Sequence, residues 1–340
     1  MSGNATYRLT NTSMLSVSAI EAPVVATSEE FDDRLEATYR RTGLRRGMLE
    51  ALAGVRERRW WPDEVSFADA ASLAGAKALA EAGITPSQVG VLISTAVTRP
   101  HLEPSSAVAV HHQLGLPTNC FSFDIANACL GFLNGIQVAG MMIDSGQVDY
   151  ALLVDAEAIQ KLHRATLDRL EQPDATAAEV KAQFASLTIG SGAAAMVLGR
   201  TDQHPEGHRI LGGVSRSGSE HHELCVGDLN LMQTDSRALF EAGIRLAIDT
   251  WNDAAEEFDW SQVDYFFCHQ TSVKHIAAMA AAIGVSPDRC PTTVEEFGNL
   301  GAAAVPFTLA RNLDRLQPGM RVMLLGIGSG LNTSFAEIAW

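Results

Sequence analysis

Between residues 130 and 143 the only polar side chains are Asn134 and Gln137, so this stretch is apolar nearly all round and predicts a buried helix. Gly131, Gly135, Ala139 and Gly140 are small enough to let neighbours pack closely against it. A short apolar run from Phe121 precedes it, and a single cysteine, Cys129, stands where the strand period gives way to the helical one. Around this junction the first half predicts strands at 14–20, 89–96, 121–125, 150–156 and 190–198. Helices are predicted from 27 or 28 to about 39, and over 66–81 and about 105–114. Residues 160–187 predict two amphipathic pieces around Pro173, long enough for a lid.

The second half repeats the plan, with strands at 210–215, 263–269, 321–326 and 333–340 and helices at 234–257, 273–283 and 299 to about 316. Residues 289–293 make a short strand at best, because Pro291 cannot donate to a ladder. Superposed, Cys129 and Asn299 stand at the start of equivalent helices, 21 and 22 residues before the strands at Tyr150 and Arg321. An internal duplication of mostly parallel strands and helices, 1–205 and 206–340, implies a layered α/β architecture with helices buried between two sheets.

Composition narrows the partners. The 340 residues are 46% hydrophobic, carry a formal charge of -15 and have a pI near 5.0, which disfavours nucleic acid and anionic membrane as bulk partners. Five widely spaced cysteines, an odd number without a C-x-x-C pair, suit a reducing cytoplasm. Residues 1–30 have no signal-peptide pattern, and no run approaches the roughly 18 apolar residues of a membrane span.

A cysteine at a strand-to-helix junction sits among unpaired N–H groups at the positive end of the macrodipole, which favours thiolate. The alternative is a buried structural thiol. His269 ends the most apolar strand of the second half and reads either as a catalytic group or as a core histidine. An N-cap is the alternative for Asn299, and a solvated loop acid for Glu103. His221, His222, Glu223 and Cys225 match no standard zinc spacing and read as a solvated loop, so no metal is expected.

Cys129 after a strand, His269 ending one, Gly298-Asn299 opening a helix and Gly326-Ile327-Gly328-Ser329-Gly330 near the C-terminus resemble the thiolase superfamily. Gly54-Val55-Arg56-Glu57-Arg58 is similar to a motif near the CoA entrance of its ketoacyl synthase III branch. Glu103 before Pro104-Ser105, Asn-Ala-Cys-Leu around the nucleophile and Gly-Ile-Gly-Ser-Gly-Leu-Asn resemble the head-to-head acyl-CoA condensing enzymes of bacterial long-chain olefin synthesis (OleA type).

The resemblance implies a five-layer α-β-α-β-α fold with two mixed sheets, and a Cys129, His269 and Asn299 triad. It also implies a homodimer in which Glu103 crosses into the partner's active site. Two long-chain acyl-CoA molecules would be joined without decarboxylation, through an acyl-cysteine, to a 2-alkyl-3-oxo acid passed to downstream olefin-pathway enzymes. No cofactor is needed, since acyl-CoA is substrate. Oxyanion donors are expected at the Cys129 N–H and the Gly328-Ser329 turn. Arg56, Arg58, Arg59 and Trp60 are the expected contacts for CoA phosphate and adenine. More than one apolar channel is expected to converge on Cys129, partly under 160–187. The rival readings are a decarboxylating 3-oxoacyl-[acyl carrier protein] synthase III and a non-catalytic acyl-binding subunit.

Overall fold

The computed structural model describes residues 6–340, apart from the side chains of residues 255 and 256. Its strands are β1 (Thr6–Arg8), β2 (Thr12–Glu21), β3 (Val24–Thr27), β4 (Glu57–Trp60), β5 (Val91–Ser94), β6 (Phe121–Asp124), β7 (Tyr150–Glu157), β8 (Gly192–Arg200), β9 (His208–Ser217), β10 (Cys225–Gly227), β11 (Met232–Thr234), β12 (Tyr265–Cys268), β13 (Arg321–Gly328) and β14 (Asn332–Ala339). Ten of them form one mixed sheet in the order β12-β13-β14-β9-β2-β8-β7-β5-β6, with β1 on β9. β3 pairs with β4, and β10 with β11, as two small ribbons.

The alternation along these strands builds the layers. In the first half, Val91, Ile93, Leu153, Met196 and Leu198 face inward onto Phe132, Leu133 and Ile136 of the helix Gly131–Asp144. Their neighbours Leu92, Leu152, Val154 and Val197 face outward onto Ala70, Ala74 and Ala78 of the helix Phe67–Ala82. In the second half Val322, Leu324, Ala336 and Ile338 meet the same central cluster, which Val305 and Leu309 complete. Met323, Leu325 and Phe335 instead meet Ala247, Ala254, Ile276 and Met279 of the outer helices. Helix, sheet, helix, sheet, helix is the resulting five-layer order, and the nucleophile helix lies in the middle layer. A Cβ on Gly131 would stand 2.5 Å from the Thr95 carbonyl oxygen, so this helix start tolerates no side chain.

Four expectations need correction. The two sheets are hydrogen-bonded into one, because β2 is long enough to pair with β9 at Ser13↔Arg209 and Met14↔His208 beyond its ladder with β8. Residues 289–293 form no strand; after a 3₁₀ turn at Pro287–Arg289, the Gln270 side chain takes the place of a neighbour. Its Nε2 donates to the Pro291 carbonyl at 3.3 Å, and its Oε1 accepts from the Thr293 N–H at 2.9 Å. The helix expected over 299–316 is broken into a 3₁₀ turn at Gly301–Ala303, a helix at Ala304–Ala310 and a turn at Leu313–Arg315. Positive φ at Gly298 and Gly301 (67° and 54°) stops regular winding there. The first predicted helix likewise divides at Leu35, with Thr27 as its N-cap.

The 160–187 segment folds as the helices Gln160–Leu170 and Ala177–Ala182 and a 3₁₀ turn at Ala185–Thr188. Arg34 fastens it through Asp168 and Glu171 at 2.9 and 2.5 Å, and Thr38 Oγ1 donates to the Leu170 carbonyl at 2.7 Å. It forms a fixed wall over the site.

Candidate active site

β6 ends at Asp124, and residues 125–130 turn the chain sharply into the central helix. Ala128 sits at φ 46°, a left-handed conformation that costs energy for a residue with a Cβ and lifts Cys129 out of the turn. Leu130 and Gly131 donate back to the Asn127 and Ala128 carbonyls at 2.9 and 3.2 Å, closing the turn. The end of β13 abuts it: a Cβ on Gly328 would lie 3.3 Å from the Cys129 nitrogen.

Cys129, His269, Asn299, Gly328 and Ser329 all line one cavity of about 1600 Å³. Leu162, Val180 and Phe184 bring the 160–187 wall to it, while Met232, Leu239 and Phe240 close another side. His269 is buried, and neither ring nitrogen has a hydrogen-bond partner. Burial, reinforced by nearby His275, draws its pKa down to about 3, so the imidazole is neutral. Asn299 Oδ1 accepts from the Gly301 N–H at 3.0 Å, which leaves Nδ2 as the amide's donor toward the cavity.

The thiol differs from expectation. The regular helix begins only at Gly131, and burial, followed by the carboxylate of Glu157, Cys225 and Asp155, pushes Cys129 above the ordinary thiol range. The resting group is therefore thiol. Alkylation of Cys129 by iodoacetamide should accordingly rise about tenfold per pH unit from roughly pH 6 to 9. A plateau in that interval would instead show a resting thiolate.

Two sets of supporting residues escaped the sequence. Asn332 Nδ2 donates to Asn127 Oδ1 at 3.3 Å, and Asn127 Nδ2 donates to Asn134 Oδ1 at 2.7 Å. This relay ties the Gly328-Ser329 turn to the nucleophile turn. Glu157, at the end of β7, lines the cavity with Asp155 buried two residues away. Two acids at the end of an otherwise apolar strand were the available signal.

The basic segment is corrected at Arg58. Arg58 is fully buried, its guanidinium bonded to the Leu187 carbonyl at 2.8 Å and Ser28 Oγ at 3.1 Å and lying over the Phe31 ring. Burial draws its pKa down to about 10. Arg59 is turned inward to Glu57 at 2.6 Å, and Trp60 Nε1 donates to His163 Nδ1 at 2.8 Å beside Phe31. All three belong to β4; Arg58 is fully enclosed, which removes it as a CoA contact, while Arg59 and Trp60 are half-buried and held by these bonds. Arg56 alone stays exposed, 3.6 Å from Glu296. Lys161, Lys181, Arg99, Arg237 and Lys274 are the cations that line the cavity.

Glu103 lies outside its own chain's cavity, although the preceding residues 97–102 line it. It is exposed on the loop leading to the helix Ser106–Gln113, next to Leu102, which is 90% exposed. Asp124 fixes the helix start by accepting from the Ser106 and Ala107 N–H groups at 2.7 and 2.9 Å. Cys225 lines the cavity, Cys268 is core, and His221 and His222 stand in an exposed turn. Among the described residues no cluster of three His, Cys, Asp or Glu side chains could hold a metal.

The profiles of 3-oxoacyl-[acyl-carrier-protein] synthase III match residues 123–218 and, for its C-terminal part, 254–340. The acyl-CoA:acyl-CoA alkyltransferase of Xanthomonas campestris pv. campestris is 43% identical over 334 residues, spanning 97% of this chain and 99% of that one. The alkyltransferase of Shewanella oneidensis is 35% identical over 94% of this chain and 96% of its own. The beta-ketoacyl-[acyl-carrier-protein] synthase III of Oceanobacillus iheyensis is 27% identical over 86% of this chain and 89% of its own. A solved structure of X. campestris OleA with bound lauric acid and lauroyl-CoA superposes with a TM-score of 0.96 at 42% identity, covering 98% of this chain and all of the other. With the duplicated fold, the cysteine turn and His269 and Asn299 in one cavity, these likenesses establish that the chain belongs to the OleA family of acyl-CoA:acyl-CoA alkyltransferases.

Proposed function

We propose that this protein is an acyltransferase that joins two long-chain acyl-CoA molecules by a non-decarboxylative Claisen condensation. The observation that carries this is the convergence of Cys129, His269 and Asn299 on a largely apolar cavity of about 1600 Å³. Pockets for one small ligand usually hold about 300–1,000 Å³. In the first half-reaction Cys129 Sγ attacks the thioester carbonyl, its proton passing to His269. The C–S bond to CoA breaks, and the proton leaves on the CoA sulfur. The Cys129 N–H and the Gly328-Ser329 backbone take the developing oxyanion. A second acyl-CoA then loses its α-proton to Glu103 of the partner subunit, and its enolate oxygen is held by His269 and Asn299 Nδ2. Carbon–carbon bond formation expels the Cys129 thiolate, and hydrolysis of the CoA thioester yields a 2-alkyl-3-oxo acid for downstream olefin-pathway enzymes. The steps require no cofactor.

A homodimer would suit the exposed apolar edge of the sheet. β6 is an edge strand, Phe121 on it is 60% exposed, and Val108 on the helix packed against it is exposed too, as is Leu102 beside Glu103. A second copy covering this apolar edge would remove a hazard and bring Glu103 to its neighbour. The charged CoA moiety suits Arg56 and the cavity cations, Lys274 among them. No helix among the described residues is long and apolar enough to cross a membrane, and the five cysteines are free, which suits a reducing cytoplasm. Incubation with lauroyl-CoA alone tests the reading. A condensed C–C product without any malonyl donor is expected, and a strict malonyl requirement would reassign the protein to decarboxylating synthesis.

A further inference from the structure

Glu157 is 1% exposed, yet its carboxylate is met only by donors, and they come from two separate segments. Oε2 accepts from the Thr98 N–H at 3.0 Å and from Thr98 Oγ1 at 2.6 Å, while Oε1 accepts from the Val97 N–H at 3.0 Å. On the other side Oε1 accepts from the Ala302 N–H at 3.4 Å. The fit to that side is close: a Cβ on Gly301 would stand 2.6 Å from Oε1. Thr98 Oγ1 in turn accepts from the Ala158 N–H at 2.8 Å, so the root of the loop is pinned to the end of β7 at both atoms. Trp61 Nε1 holds the Glu157 carbonyl at 3.0 Å.

The two gripped segments are those that carry the condensation chemistry. Gly301 N–H is the donor that orients the Asn299 amide, and residues 97–98 open the loop that ends at Glu103. Asp155 lies two residues away on the same face, with one bond from Thr95 Oγ1 at 2.5 Å and Oδ1 unpartnered. One buried carboxyl of such a pair takes the proton, and four donors favour the charge on Glu157. We infer that Glu157 is the positioning residue of this site, setting with one carboxylate both the turn of Asn299 and the root of the Glu103 loop. The inference rests on the condensation reading, because it assigns Glu157 to the second half-reaction. Acylation uses Cys129, His269 and the Gly328-Ser329 turn, none of which bonds to Glu157.

The test follows the full chain with lauroyl-CoA, measuring acylation of Cys129 by intact mass and condensed product separately. Glu157→Gln turns an amide donor toward N–H groups, and should lower condensation roughly 10- to 100-fold while Cys129 acylates at least as fast as in the wild type, because a charge opposing its thiolate is removed. In an Asn299→Ala background the same change should cost much less, because part of its effect has already been removed. A merely structural role would lower acylation, condensation and melting temperature together, with multiplying losses in the double variant. That result, or wild-type condensation by Glu157→Gln, overturns the inference. Should Glu157→Gln fail to fold, Thr98→Val removes one donor to Glu157 together with the acceptor of the Ala158 N–H, and should slow condensation roughly 2- to 10-fold with acylation unchanged; an unchanged condensation rate overturns the inference. A wild type that makes no product without malonyl donor overturns the condensation reading instead. The double-variant comparison is then read on malonyl-driven product, where the Asn299 half of the inference still predicts non-additivity.

Discussion

Replacing Cys129 with alanine is expected to abolish the acyl-enzyme and to lower product formation about 10⁴-fold or more, with little change in melting temperature. The size follows from the chemistry. Without Sγ there is no covalent holder for the first acyl group, and a direct reaction of two thioesters would need both bound and aligned at once. The unchanged stability follows from position. Cys129 is partly open to the cavity, and the turn that lifts it is closed by backbone bonds from Leu130 and Gly131. A core thiol would behave in the opposite way, losing stability and sparing activity. Intact mass after exposure to lauroyl-CoA, a thermal melt and product analysis on the same sample decide between the two. A Cys129→Ala protein that still condenses would remove the nucleophile from the mechanism.

The layers were legible because each strand carries its own address. Leu92 against Ile93, and Leu324 against Leu325, alternate between clusters on opposite faces, and that alternation is written in the residues. The duplicated spacing then placed Cys129 and Asn299 on equivalent turns. What stayed hidden depends on contacts between distant segments. Arg58 looks like an exposed cation, yet Ala26, Ser28 and Leu187 supply it with oxygen atoms and Phe31 with a ring face, so it is buried. Its neighbour Arg56 carries the same charge and remains outside. Strand alternation does not separate them, since positions two apart share a face, and only Arg58 lies within β4. Glu157 was hidden for the same reason, since its four donors lie some sixty residues before it and 145 after it.

The thiol shows where a local rule gives way to its surroundings. A helix start favours thiolate, but the first regular helical residue is Gly131, and two buried acids stand nearby. The site therefore rests neutral at sulfur and at His269. That arrangement suits an apolar cavity, where a standing ion pair would be costly.

Glu103→Gln should leave acylation of Cys129 close to wild type and reduce condensation about 10²- to 10⁴-fold, the usual range for loss of a general base. The amide keeps the size of the loop residue and its neighbours Leu102 and Pro104, so the surface that meets a second copy is preserved. Exposure of Glu103 outside its own cavity gives the prediction a sharper form. If the base acts across a two-fold interface, Glu103→Gln and Cys129→Ala chains are each inactive alone but complementary together. In a mixed dimer one site has both defects, and the other joins an intact Cys129 to an intact Glu103. Random assortment makes half of the dimers mixed, so restored activity should approach about a quarter of wild type per site. A base acting within its own chain predicts no recovery, since every Cys129-bearing chain would then lack Glu103. Activity measured across mixing ratios of the two co-refolded or co-expressed variants therefore reads the identity of the base and the subunit that supplies it in one experiment.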